Sequence, residues 1–174
     1  LDMEYYSVFP NHTDWTIGYN FVYADGKPIS IEQSELYPDF TAIKDANGGI
    51  LVELPKRCNP VIFGGKKNAT VTNTDISMTG GTVSMLFGGG YGEIGTSGAV
   101  KSTAAGVTDS TRIVMTGGTV TNSLFGGGLY HNVTKNVNIS LSGTASVGIP
   151  YNWVICGGLE SGRTDGTAYG EFSA

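Results

Sequence analysis

The residues best suited to holding a ligand are aromatic rings beside amides. Tyr91, Tyr130, His131, Tyr151 and Trp153, with Asn132 and Asn152 next to them, cluster in three short stretches. Aromatic faces stack on the C–H surface of a sugar while amides fix its hydroxyls, so these five are the candidate glycan contacts. The same rings could instead pack their segments against the body of the protein, and the residue types suit both uses.

Other chemistries are weaker. Glu93 and Glu160 are the acids nearest those stretches, but a glycoside hydrolase needs two carboxyl groups facing one another. Arg112 as the base of a polysaccharide lyase would need several carboxylates around it; Asp75, Arg112 and Asn138 read more simply as a cross-strand ladder. His12 and His131 lack zinc-ligand spacing, and no cofactor is expected. Calcium is the one ion with candidate positions, at Asp45-Ala-Asn-Gly-Gly49 and at Glu160 with Asp165, each also readable as a turn. Cys58 and Cys156 should lie too far apart for a disulfide and are expected as free thiols. Thr79/Thr116/Ser142 and Thr82/Thr119 could order water as flat threonine arrays do, but threonine is also favoured on any strand.

The elements that must position these groups come from a repeat. Asp75-Ile-Ser-Met-Thr-Gly-Gly-Thr-Val-Ser-Met-Leu-Phe-Gly-Gly-Gly-Tyr91 returns as Arg112-Ile-Val-Met-Thr-Gly-Gly-Thr-Val-Thr-Asn-Ser-Leu-Phe-Gly-Gly-Gly-Leu129. Asn138 to Val147 with Val154-Ile-Cys-Gly-Gly-Leu159 is a degraded copy, and Val61-Ile-Phe-Gly-Gly65 is the end of another. Aligning the apolar-apolar-Gly-Gly ends sets Phe63, Phe87, Phe125 and Cys156 in one column, at steps of 24 (87 − 63), 38 (125 − 87) and 31 (156 − 125). One turn of a β-solenoid needs roughly 20–29 residues, so the longer steps carry insertions.

Period-two alternation inside each copy predicts inward columns Ile76/Met78/Val83, Ile113/Met115/Val120 and Ile139/Leu141/Val147, with Ile62/Leu86/Leu124/Ile155 as a further aliphatic column. Phe63, Phe87 and Phe125 are expected to turn in at the glycine corner and stack; the alternative is an exposed aromatic stripe. The predicted fold is all-β: a right-handed parallel β-helix of about four coils with an N-terminal β-hairpin cap.

The cap is expected over residues 1–49 and the coils over 50–174, in one continuous domain cut from a longer protein. Trp15, Ile17, Tyr19, Phe21 and Tyr23 share one strand face, Asp25-Gly26 signals a hairpin with a return strand at Pro28 to Ile31, and Ile50 to Leu54 is another strand. A short helical turn is expected at Ser34 to Tyr37, ending at Pro38.

Composition agrees. Of 174 residues 27 are Gly and 14 % are charged, a balance for short strands and tight turns rather than helices. A net charge of −5 and a pI of 4.8 argue against nucleic acid as a partner. No apolar stretch is long enough for a transmembrane helix, so membrane insertion is not expected.

The Ile-Ser-Met-Thr-Gly-Gly-Thr-Val…Leu-Phe-Gly-Gly-Gly repeats resemble the Gly-Gly-Thr-Val / Phe-Gly-Gly-Gly repeats of adhesin-like bacterial surface proteins, in the pectate-lyase-like (pectin lyase-like) β-helix superfamily. The likeness covers about residues 61–160. It implies an extracellular or cell-surface repeat protein and carries no catalytic motif, because that superfamily hosts many activities. The expected function is a non-catalytic β-helix module for adhesion, carbohydrate-binding through the inserted loops. Its partners would be a surface glycan or host cell-surface ligand and adjacent repeats of the parent protein. The alternatives are a polysaccharide lyase or hydrolase working in a groove along the helix, and a structural spacer.

Overall fold

In the computed structural model, the structure describes residues 1–7, 18–93, 106–148, 154–155 and 171–173. These are built of β1 (Asp2–Ser7), β2 (Gly18–Tyr23), β3 (Ile29–Gln33), β4 (Phe40–Asp45), β5 (Ile50–Pro55), β6 (Val61–Phe63), β7 (Thr70–Val71), β8 (Thr74–Met78), β9 (Thr82–Val83) and β10 (Met85–Phe87). They continue with β11 (Gly106–Val107), β12 (Ser110–Met115), β13 (Thr119–Val120), β14 (Leu124–Phe125), β15 (Asn132–Val133), β16 (Asn136–Leu141), β17 (Ser146–Val147), β18 (Val154–Ile155) and β19 (Glu171–Ser173). The protein is all-β; the one helical element among the described residues is a 3₁₀ turn at Lys56–Cys58. The segment after Ser34 is not helical: the Ser34 hydroxyl accepts from the Leu36 and Tyr37 amides, and this local alternative to a helix closes a turn before Pro38.

Four sheets result, ordered β1-β2-β6-β10-β14-β18, β15-β11-β7, β19-β16-β12-β8-β3-β4-β5 and β17-β13-β9. Equivalent strands of successive repeats pair in parallel and in register. Ile76, Ile113 and Ile139 align, as do Met78, Met115 and Leu141, and Val83, Val120 and Val147. Their side chains form one aliphatic core with Ile62, Leu86 and Leu124, all 0–1 % exposed except the partly buried Leu141 and Val147.

Three further expectations need correction. Asp25 (φ 61°) and Gly26 (φ 77°) do adopt a left-handed pair, but they join no hairpin. β2 pairs with β6 in the six-stranded sheet and β3 with β8 in the seven-stranded one, so the turn is a corner between sheets. Gly26 and Asp25 donate to the Gly64 and Gly65 carbonyls, and these next-layer bonds replace hairpin pairing. Residues 18–33 thus pair directly with the repeats, and antiparallel partners come from elsewhere: β1 on β2, and β4 with β5 beyond β3. The second correction is of register: Leu124-Phe125 pair with Val154-Ile155, so Val154, not Ile155, is in register with Leu124, and Ile155, not Cys156, with Phe125. Alignment on glycines misplaced the last repeat by one residue, because in the sequence Cys156 stands where the earlier repeats have the first glycine after Phe.

The third concerns only the side the phenylalanines take, since their burial and stacking are as expected. Phe63, Phe87 and Phe125 are 0–4 % exposed and stack with ring centroids 4.7 and 4.6 Å apart. They do not turn into the aliphatic core. Alternation holds, and with Tyr23, Val61 and Met85 they form a separate cluster on the opposite face of the six-stranded sheet.

The two glycine corners work differently. Gly81 and Gly118 stand at φ 80° and 84°, which a β-carbon would oppose, and each directly precedes a strand of the β17-β13-β9 sheet, at Thr82 and Thr119. The Phe-Gly-Gly-Gly corners need closeness instead: a β-carbon on Gly88 would strike the Gly126 carbonyl of the next layer, and one on Gly89 would lie 2.6 Å from the Gly128 nitrogen. The buried hydroxyls of Thr74 and Thr111 donate to the Gly88 and Gly126 carbonyls at 2.6 and 2.7 Å, tying the seven-stranded sheet to this corner.

Candidate functional site

The chain varies in length mainly where it leaves the six-stranded sheet at the Phe-Gly-Gly corner. From the Ile62 layer to the Thr70 layer is 8 residues (70 − 62), and from Leu124 to Asn132 again 8 (132 − 124), but from Leu86 to Gly106 it is 20 (106 − 86). Three of the five ring-bearing candidates fall at this corner. Tyr91 bridges Lys67 on one side and Leu129 on the other, and Tyr130 and His131 follow directly. Tyr151 and Trp153 lie outside the described residues, as do His12, Trp15, Ile17, Cys156, Glu160 and Asp165.

Tyr91 is engaged in packing. Its ring lies 5.6 Å from Phe63, 6.0 Å from Phe21 and 6.3 Å from Tyr23, closing the aromatic cluster from outside. Burial, and secondarily the Glu93 carboxylate, raises its phenol pKa. His131 is 7 % exposed and lies on the bare α-carbons of Gly90 and Gly92; a β-carbon on Gly92 would come within 2.6 Å of its Nε2. Neither ring nitrogen has a hydrogen-bond partner among the described residues, and burial lowers its pKa, favouring neutral imidazole. The Tyr23 hydroxyl is likewise buried without a partner there, and burial raises its pKa. Tyr130, half-buried, holds φ 57°, an uncommon backbone state for a bulky residue.

An ion cluster sits on the rim of the same corner. The Lys67 ammonium donates to Glu4 at 2.8 Å and pairs with Glu93 at 2.9 Å, 5.9 Å above the Tyr91 ring. Hydrogen bonds to Glu4 and then Glu93 raise its pKa, so it stays charged. Glu93 also donates its amide to the Asn68 side chain. Nothing in the order of residues linked Glu4 to Lys67, 63 positions later in the chain; only the pairing of β1 on β2 brings them together.

The second polar locus is the outward face of the seven-stranded sheet. Asp75, Arg112 and Asn138 align there as expected, with Arg112 Nη1 donating to Asp75 Oδ1 at 2.6 Å and Asn138 to the Thr111 carbonyl at 3.2 Å. This is a ladder, with no additional carboxylate paired to Arg112 among the described residues. Asp45 Oδ1 accepts from the Asn47 and Gly49 amides, closing the β4–β5 turn. Among the described residues no three His, Cys, Asp or Glu groups gather as a metal site, and Cys58 is a free thiol. No helix among them is long and apolar enough to cross a membrane.

No protein-family model, curated protein or solved structure matches the chain.

Proposed function

We propose that the chain is a right-handed parallel β-helix module of about four coils that serves adhesion at a cell surface or in secretion, without catalysis, by contacting glycans. The handedness follows from the rule that parallel crossovers are right-handed in about 98 % of cases. The observation that carries the reading is the concentration of length variation at one corner, 20 residues against 8, while the strand ladders around it keep register. A constant scaffold with a variable edge is how binding proteins present loops.

The packing of Tyr91, partly buried, and of His131, buried, favours other groups as the contacts. In this reading Tyr130, Tyr151 and Trp153 carry most of the glycan contact, with the insertion at 94–105 beside them. The enzymatic alternative draws less support: Glu4 and Glu93 share one lysine instead of facing each other across a groove.

The test is a glycan array probed with the full chain and with a variant whose residues 94–105 are replaced by a short Gly-Ser linker. Binding by the first, weakened in the second, supports the reading. Release of unsaturated or reducing ends from pectin-like or mucin glycans overturns it in favour of an enzyme.

A further inference from the structure

Between the β4–β5 turn and the outward face of the seven-stranded sheet lies a groove of about 350 Å³, lined by Pro28, Ser30, Asp45, Asp75, Ser77 and Arg112 among others. Its volume is at the lower end for small-ligand sites, enough for a single sugar ring. The floor is set by strand register: Ser30 pairs with Ser77, and Asp75 with Arg112, so hydroxyls form one row and the ion pair the next. The wall is set by the turn, which Asp45 closes through Oδ1 to the Asn47 and Gly49 amides at 2.8 and 2.9 Å.

Most hydrogen-bonding capacity in this groove is unspent. Arg112 contacts Asp75 through one Nη1–H, leaving its other N–H donors and Asp75 Oδ2 free of any other direct bond among the described residues. Among the described residues Asp45 is held through Oδ1, with Oδ2 left over. Ser30 donates to Glu32 at 3.1 Å and keeps its lone pairs. At 54 % and 44 % exposed, the Arg112–Asp75 pair adds little to folding, so a ligand can share it without destabilising the sheet.

The charge balance selects the ligand. Arg112 in the groove opposes a metal cation, and Asp45 with Asp75 oppose an acidic sugar or a phosphate. Donors and acceptors standing side by side match the hydroxyl pairs of a neutral sugar, each of which gives and takes a hydrogen bond.

We propose that this groove is a subsite for one neutral sugar unit, with Arg112 and Asp75 clamping adjacent hydroxyls and Asp45, Ser30 and Ser77 fixing its orientation. The proposal rests on the glycan-binding reading above and adds a second contact surface, on the scaffold itself.

The experiment titrates the full chain, and its Arg112→Gln and Asp75→Asn variants, against galactose-, glucose- and mannose-terminated neutral oligosaccharides chosen from the array, with saturation-transfer NMR as readout. Both side chains are exposed, so unchanged thermal unfolding certifies each variant. The expected result is binding by the parent chain that weakens at least tenfold in both variants. Parent binding to neutral sugars retained within twofold by both variants overturns the groove and leaves the adhesion reading standing. Binding restricted to sialylated or uronate glycans overturns the neutral-sugar assignment. Absence of any glycan binding by the parent chain overturns the adhesion reading and the groove with it.

Discussion

The six-stranded sheet has two buried faces of different character. On one, Val22, Ile62, Leu86 and Leu124 join an aliphatic core with no unpartnered buried polar side-chain atom among the described residues. On the other, Tyr23, Phe63, Phe87 and Phe125 stack ring on ring at 5.3, 4.7 and 4.6 Å. This second face keeps the Tyr23 hydroxyl, without a partner among the described residues, and the Lys67 ion cluster and His131 lie at the corner beside it. Adjacent residues of the same strand thus serve two purposes. The aliphatic face stacks repeats on one another; the aromatic face also fastens the corner from which the insertions leave.

The largest test of that contrast is to remove one ring. Phe87→Ala should cost about 3–5 kcal/mol in denaturant unfolding, comparable to a loss of about 2–5 kcal/mol for Leu86→Ala on the other face. A loss under about 1 kcal/mol for Phe87→Ala would mean the aromatic face is not a true core. Gly88→Ala should cost about 3 kcal/mol, because the new methyl meets a backbone carbonyl that cannot move without parting two layers. Wild-type stability in this variant would refute the close approach at the corner.

Thr41 probes the end of the stack. Its buried hydroxyl donates to the Thr82 carbonyl at 2.9 Å and accepts from the Thr82 amide at 2.8 Å, standing in for a strand partner of β9. Thr41→Val keeps the shape and strands both groups, so about 1–3 kcal/mol should be lost.

His131 gives the aromatic side a pH dependence the aliphatic side lacks. Its folded pKa is below its unfolded value near 6.5, so the unfolded chain binds more protons in between. Stability is therefore full above about pH 6.5 and falls as pH drops toward the folded pKa. The unfolding temperature at pH 5.5 should be lower than at pH 7.5, and His131→Leu should flatten that difference. Glu32 and Asp109, whose pKa values are lowered by their bonds to Lys44 and Lys135, act in a separate window, below the ordinary carboxylate range. The smallest effect belongs to Lys67→Met. With Lys67 26 %, Glu93 28 % and Glu4 41 % exposed, its loss should cost about 1 kcal/mol or less, and less still at high salt.

The repeat was legible because side chains that stack in register must recur with the same spacing. That is why Ile76, Ile113 and Ile139 could be aligned from the chain alone, and why the outward Asp75–Arg112 pair could be anticipated. The candidate site was less legible. Tyr91 and His131 stood out as loop residues with binding chemistry; Tyr91 is partly buried against the aromatic cluster and His131 is buried, since a ring beside a glycine corner reads the same whether it faces solvent or fills a gap. Glu4 and Thr41 gave no signal, as their roles depend on strands brought together from distant parts of the chain.

By itself the sequence determined which positions are apolar, where the corners fall and that successive repeats are equivalent, because period-two alternation and glycine placement are local properties. Only the tertiary structure decided which partner each strand takes: that Asp25-Gly26 turns a corner instead of closing a hairpin, and that Ile155 follows Phe125. It alone also put the phenylalanines in a second core, because alternation says which residues share a face and only packing says whether that face is covered.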